Sequence, residues 1–213
     1  MGRIDENYFK PSNNEYNSIS DIIDRENDEQ ILWNGRPKKK AFILNSCIKM
    51  FPIALLWILF DGFFIGTMVR HSSTIPSGMT LFMIIFFLFH LMPVWIWISN
   101  VVTSNRRYKN LEYAFTNKRI IIKSGVIGLD FKSIYYSEIS SVNLKVGIID
   151  KMLHVGDIYI KSVGSADILF DLENPHFIAE RLQKIVVDIK TDISFPNNLR
   201  PKENDGYHTN YRS

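Results

Sequence analysis

"EYAFTNKRIIIKSGVIG", Glu112 to Gly128, decides the fold. Two β-branched and aromatic runs, "LEYAF" and "RIIIKSGVIG", flank "TNK", a compact polar turn of the kind that joins a hairpin. Moving outward, "FKSIYYSEI" and "SVNLKVGI" follow, and "DIYIKSV" and "ADILFDL" pair around Gly164. In the last run Ala166, Ile168, Phe170 and Leu172 alternate with Asp167, Leu169 and Asp171, the period-2 pattern of a sheet with one face covered. Short strands at this spacing predict a curled sheet or small barrel. "ENPHFIAERLQKIVVDIK" then changes period: Asn174 is placed as N-cap, Pro175 opens the helix, and Ile178, Leu182, Ile185, Val186 and Ile189 share one face. Glu180 and Lys184 form an i, i+4 pair on the solvent side. Such a helix plugs the open end of a barrel, and from about Thr191 the polar tail is expected to be disordered.

Upstream of the hairpin the composition is different. "MTLFMIIFFLFHLMPVWIWISNVV", Met79 to Val102, holds no Asp, Glu, Lys or Arg, and a helix rising about 1.5 Å per residue over that length crosses a hydrocarbon core of about 30 Å. "CIKMFPIALLWILFDGFFIGTMV", Cys47 to Val69, is read as the first span despite Lys49 and Asp61. "RHSSTIPSG", Arg70 to Gly78, predicts a tight turn between antiparallel helices. A long polar stretch precedes the first span, so neither segment is read as a cleaved signal.

Arg36, Lys38, Lys39, Lys40 and Lys49 precede the pair and Arg106, Arg107 and Lys109 follow it, against Arg70 alone in the loop, which places both termini on the cytoplasmic side of the cell membrane. Lys38, Lys39 and Lys40 are read as topology determinants touching headgroups, and Trp95 and Trp97 as interface residues with wet indole N–H groups. Asp61 is either an intramembrane functional acid or an acid at a helix break or facing the partner helix. His90 reads as a packing residue, because no second titratable group stands at helical spacing in its own span. Pro52 and Pro93 are read as kinks.

The expected organisation is a polar, disordered arm over 1–30, a juxtamembrane segment over 31–46, the hairpin over 47–102, the soluble module over 103–190 and a tail over 191–213. Within the arm, "SISDIIDRENDEQ" predicts a short helix capped by Ser20.

These features resemble a family. "EQILWNGRP" at Glu29 to Pro37, the hydrophobic hairpin, "YAFTNKRIIIKSG" at Tyr113 to Gly125, Ile139 to Val142, and "HVGDIYI" at His154 to Ile160 together are similar to the bacterial pleckstrin-homology family of membrane-anchored proteins. The resemblance implies an α+β protein: a two-helix transmembrane hairpin followed by a PH-like split β-barrel capped by a C-terminal α-helix. It implies no enzyme. It also places "TNKR" at a hairpin turn near the region that some eukaryotic PH domains use for phosphoinositides, although their multi-basic signature is not matched.

A net charge of +3 is too small for a nucleic-acid partner, and Cys47, the only cysteine, supports neither a disulfide framework nor a Cys-based metal site. No phosphate loop, nucleophile elbow or His-Glu-x-x-His is present, so no cofactor, metal or small-molecule substrate is expected. His154 and Asp157 read as a turn re-entering a strand through Gly156. The strongest candidate site is electrostatic: Arg106, Arg107, Lys109, Lys118, Arg119 and Lys123, set against anionic lipid. Thr116, Asn117 and Arg119 read as turn stabilisers ahead of a headgroup site. The leading function is protein–protein association or self-association at the bilayer, with lipid sensing second and a transport or enzyme subunit using Asp61 and His90 a remote third.

Overall fold

The β-branched runs assemble into two antiparallel sheets, in a computed structural model that describes residues 17–23, 28–70 and 77–194. The first sheet has the order β1 (Ile31–Gly35), β2 (Glu112–Thr116), β3 (Arg119–Ser124), β4 (Asp130–Tyr135), and the second β5 (Ile139–Lys145), β6 (Val155–Ser162), β7 (Ser165–Glu173). Between β1 and β2 lie α1 (Lys39–Ile48), α2 (Phe51–Arg70), α3 (Ser77–His90) and α4 (Met92–Asn110). A short α5 (Ile148–Leu153) joins β5 to β6, and α6 (Pro175–Ser194) closes the chain's described part.

β1 revises the expected organisation. The segment read as juxtamembrane pairs antiparallel with β2, Trp33 opposite Phe115 and Gly35 opposite Tyr113. The helical excursion is therefore inserted between two neighbouring strands of one sheet, and the module begins before it. Trp33 and Phe115 also stack, with ring centroids 4.6 Å apart. "ILWNG" is too short and too close to a basic run to announce a strand, because its pairing partner lies beyond the whole excursion.

The core joins both sheets to α6 through Tyr113, Ile120, Ile134, Tyr136, Ile139, Ile158, Ile160, Leu169, Leu172 and Leu182, each at most 2% exposed. Fully burying one such aliphatic side chain contributes about 1.5–3 kcal/mol relative to leaving it in water. Phe42 of α1 belongs to the same cluster, so the foot of the helical stalk is packed into the barrel. Tyr136 donates its hydroxyl to Thr116 O at 2.8 Å, and Tyr113 accepts the Phe170 N–H at 2.9 Å. Burial drives the Tyr113 hydroxyl well above its ordinary pKa, so it stays protonated.

Three local expectations change. In β7, Phe170 and Ala166 are exposed while Leu169, Asp171 and Leu172 turn inward. A register shift opposite Gly156/Ile158 and a left-handed Asp171 (φ 49°) break the alternation and re-aim the strand end. α6 runs on through Ser194 rather than ending near Thr191. At the other end, Ser18 rather than Ser20 caps a single 3₁₀ turn, Ile19–Asp21, with Asp21 Oδ2 accepting the Ser18 N–H in return. Ile19 packs on Ala114 and Ile121 at the outer face of the first sheet, so this part of the N-terminal arm is ordered. The remainder of the arm at 1–16 and 24–27, the 71–76 connection and the 195–213 tail lie outside the described residues.

The stalk starts as one rod. α1 and α2 run together as Lys39–Arg70, a length of about 48 Å at 1.5 Å per residue, and this is the one helix among the described residues that is by itself long and apolar enough to cross a membrane. α3 and α4 meet that test only together, across a 48° bend. Pro93, which lacks an N–H, sits just past the break at Leu91, where the Trp95 indole donates to Leu88 O at 3.2 Å. Trp97 donates to Cys47 O at 2.8 Å, tying α4 to α1. Both indole N–H groups, expected to be wet, are bonded to backbone carbonyls. Pro52 opens α2, where a missing N–H is tolerated and no kink is needed.

Candidate functional site at the junction of stalk and barrel

The stalk leaves and re-enters the barrel at one end, and a cluster of polar side chains gathers there. Asn45 of α1 donates from Nδ2 to Asp150 Oδ1 of α5 at 2.9 Å and to Asp171 Oδ1 of β7 at 2.6 Å. Asp150 Oδ2 also accepts the Gly147 N–H at 2.8 Å, closing the first turn of α5, and Asp157 Oδ1 accepts the Asp171 N–H at 2.9 Å. Lys38 donates its N–H to Asp171 O at 2.8 Å and its ammonium to Leu153 O at 3.2 Å and Glu173 at 3.0 Å. One amide side chain on the stalk thus clamps two carboxylates on the barrel. Burial, with the neighbouring charge of Asp157 adding to it, pushes the Asp171 carboxyl up to about 7, and Asp157 is raised for the same first reason.

Beside this clamp is a shallow cavity of about 490 Å³ lined by Trp33, Arg36, Lys38, Lys39, Tyr108 and Phe177, among others. Two of its cations are already engaged, Arg36 with Glu112 at 3.2 Å and Lys38 with Glu173. The Lys39 ammonium stands 5.9 Å from the centroid of the Tyr108 ring. No group of three or more His, Cys, Asp or Glu side chains able to hold a metal ion occurs among the described residues. His154 is the left-handed C-cap of α5, and a side chain on Gly156 would press on Pro175 and Val146, which is the turn read from the sequence.

A family model described as a bacterial PH domain matches residues 52–186, more than half of the chain. The chain belongs to the bacterial PH domain family. Among solved structures, a DUF1696 family protein with a pleckstrin-homology domain from Shewanella loihica PV-4 is similar at 20% identity, with 39% of this chain and 74% of that chain covered and a TM-score of 0.30. No curated protein matches.

The PH module separates the basic residues singled out in the sequence. Arg106 and Lys109 are exposed on the last turns of α4, and Lys123 ends β3 on the same side. Arg107 folds back onto Asn100 O at 3.2 Å. Lys118 and Arg119 lie at the β2–β3 turn, one strand length of about 17 Å from the stalk end of β2. Arg119 is committed to the fold: Nε and Nη2 grip both oxygens of Glu29 at 2.9 Å, Nη2 also reaches Ile22 O, and Nη1 reaches Ser133. Thr116 Oγ1 accepts the N–H groups of Lys118 and Arg119 and bonds Glu29 Oε1 at 2.8 Å. Asn117 donates its N–H to Gln30 O, accepts the Gln30 N–H, and holds Asp28 O. The turn-stabilising reading of Thr116, Asn117 and Arg119 matches this geometry.

Sequence reasoning missed the Asn45 clamp, since the three carboxylates and the amide belong to four separate elements. It also missed the partner of His90, which is Asp61 on the other rod, Nδ1 to Oδ1 at 2.9 Å. α2 is unbroken there, so Asp61 faces the partner helix rather than a helix end. The His90 ring is enclosed by Trp57, Phe60 and Phe86 at centroid distances of 5.9, 6.1 and 5.2 Å. A hydrogen bond between apolar rods acts as glue.

Proposed function

We propose that this PH-family chain is a non-enzymatic integral membrane protein, anchored by a two-span hairpin with both termini cytoplasmic, whose module associates with other proteins or with a second copy of itself. The observation that carries this reading is the insertion of the stalk between β1 and β2. A module entered and left through one end is held at a set height against the bilayer. It then offers its flank to partners confined to the same surface. On that flank the outer edge of β1 pairs with no other strand among the described residues, and Ile31 and Leu32 are 41% and 48% exposed. An edge with apolar side chains beside it accepts an added strand.

A photo-crosslinking residue at Leu32 in the full-length chain, irradiated in native membranes, is expected to give discrete protein adducts that the same probe at Val163, on the β6–β7 turn of the other sheet, does not give. A chain with equal or no adducts at both positions removes the reading.

The second reading, an anionic-lipid module, is supported by the cavity at Arg36, Lys38 and Lys39. Each cation near an anionic surface contributes about 1 kcal/mol. With Arg36 and Lys38 paired to carboxylates, the free increment is small, which is why association leads. A transport or enzyme role for Asp61 and His90 ranks last, because their mutual bond already accounts for both.

A further inference from the structure

Most apolar side chains of the barrel are buried, but two short segments beside the stalk are not. The β3–β4 loop exposes Val126, Ile127 and Leu129, with Ile127 97% exposed. Between β5 and α5, Val146 and Ile148 are exposed, Ile148 at 85%, and Met152 follows one turn later on the same face at 75%. An exposed Leu or Ile standing singly needs no explanation, whereas clusters of them at one end of a molecule do.

Both segments are fixed to the stalk at the level where it leaves the barrel. Asn110, the last residue of α4, donates from Nδ2 to Gly125 O at 3.2 Å. Gly125 has φ 145°, and a Cβ there would lie 1.9 Å from Gly128 O, so the loop is a tight turn that only glycine allows and that throws Ile127 to its tip. α5 is bound to α1 at two points, Leu153 O to Lys38 and Asp150 to Asn45. It therefore runs antiparallel to α1, with Leu153 at the barrel end of that helix and Ile148 at the end that continues into α2. Asn45 precedes Phe51 by a helical length of about 9 Å, and interfacial helices bury their apolar faces about 5–10 Å into the headgroup and acyl boundary. Ile148 stands beside the rod on the side of Asn45 that leads to Phe51.

The charges nearby fit the same surface. Lys49, Lys145 and Lys151 accompany the α5 segment against Asp150 and Asp157, and Arg106, Lys109 and Lys123, the last donating to Asn17 O, flank the loop against Glu112 and Asp130. At the far end the β6–β7 turn exposes Val163, and the start of β1 exposes Ile31 and Leu32, which the flank reading above already uses.

We infer that Val126–Leu129 and Val146–Met152 are two apolar feet that insert into the interfacial layer of an anionic bilayer on either side of the stalk, seating the module on the membrane. This rests on the membrane-anchored reading above. It adds a second contact that fixes tilt, where a stalk alone fixes only height.

The test uses the full-length chain with Cys47→Ala, carrying one cysteine labelled with an environment-sensitive fluorophore, in vesicles of phosphatidylcholine and phosphatidylglycerol. Labels at Ile127→Cys and Ile148→Cys are expected to be blue-shifted, quenched by shallow nitroxide lipids and several-fold less quenched by aqueous iodide than a label at Val163→Cys. A label at Phe63→Cys in α2 controls for the anchor. If Phe63 is lipid-buried while positions 127 and 148 behave like Val163, the feet do not insert and the inference is overturned. If Phe63 is itself open to iodide, the membrane anchor fails and the inference falls with it.

Discussion

Arg119→Ala is expected to destabilise the module by about 3–5 kcal/mol, the usual cost of leaving a buried ion without its partner. Glu29 is 5% exposed, and both of its oxygens are held by the Arg119 guanidinium. The carboxylate bond is also the first reason that Arg119 is raised above its ordinary pKa. Thermal unfolding of the full-length chain in nanodiscs, followed by tryptophan fluorescence, reads the loss, since Trp33 packs on Phe115 one strand away. Replacing both partners together, Glu29→Leu with Arg119→Met, is expected to recover most of it. A single variant within about 0.5 kcal/mol of the native chain, the range of ordinary surface substitutions, would show that the pair is not structural. The same argument bears on lipid binding. An Arg119→Glu chain that no longer binds vesicles would report a broken fold, and Lys109 or Arg106 on the stalk side are the sites for that question.

The second large effect is a pH dependence centred on Asp171. Its carboxyl sits at about 7 in the folded chain, against an ordinary value of about 3.9 in an unfolded one. Between those values the folded state retains a proton that the unfolded state has released. Stability is therefore fully present below about pH 4 and declines as pH rises toward 7, with Asp157 acting in the same direction. The melting temperature of the junction is expected to fall by several degrees across that window. Asp171→Asn keeps an acceptor for Asn45 and suits the left-handed backbone at φ 49°, so it should flatten the slope and melt higher than the native chain at pH 8. A native chain whose melting temperature rises steadily from pH 4 to 7 would contradict the burial of this group.

The contrast between what was legible and what was not follows contact distance along the chain. β2 through β7 and α6 were readable because each carries its own period and its partner lies one turn away. β1 was not, since its partner is across the entire helical excursion. The face of β7 was misread because alternation assumes a regular strand, and the shift at Gly156 and the inverted Asp171 are invisible in composition. Proximity in sequence groups the basic residues together. The sheet instead carries Lys118 and Arg119 a full strand away from Lys109 and Lys123. Asn45, an amide on an apolar helix, is the centre of the junction because two acids from different elements converge on it, and a third, Asp157, holds the backbone of one of them. Asp61 and His90 each looked alone within their own helix and find each other only across the pair.

Accessibility of single cysteines in sealed membrane vesicles of known sidedness tests the central claim most directly. Gln30 before β1, Lys118 at the far turn of the module and Gly78 at the start of α3 are replaced in turn in the Cys47→Ala chain and treated with an impermeant maleimide. Positions 30 and 118 are expected to react from the same, cytoplasmic side and position 78 only from the other. Reaction of 30 and 118 from opposite sides, or of all three from one side, would contradict a stalk that crosses the bilayer twice between two paired strands.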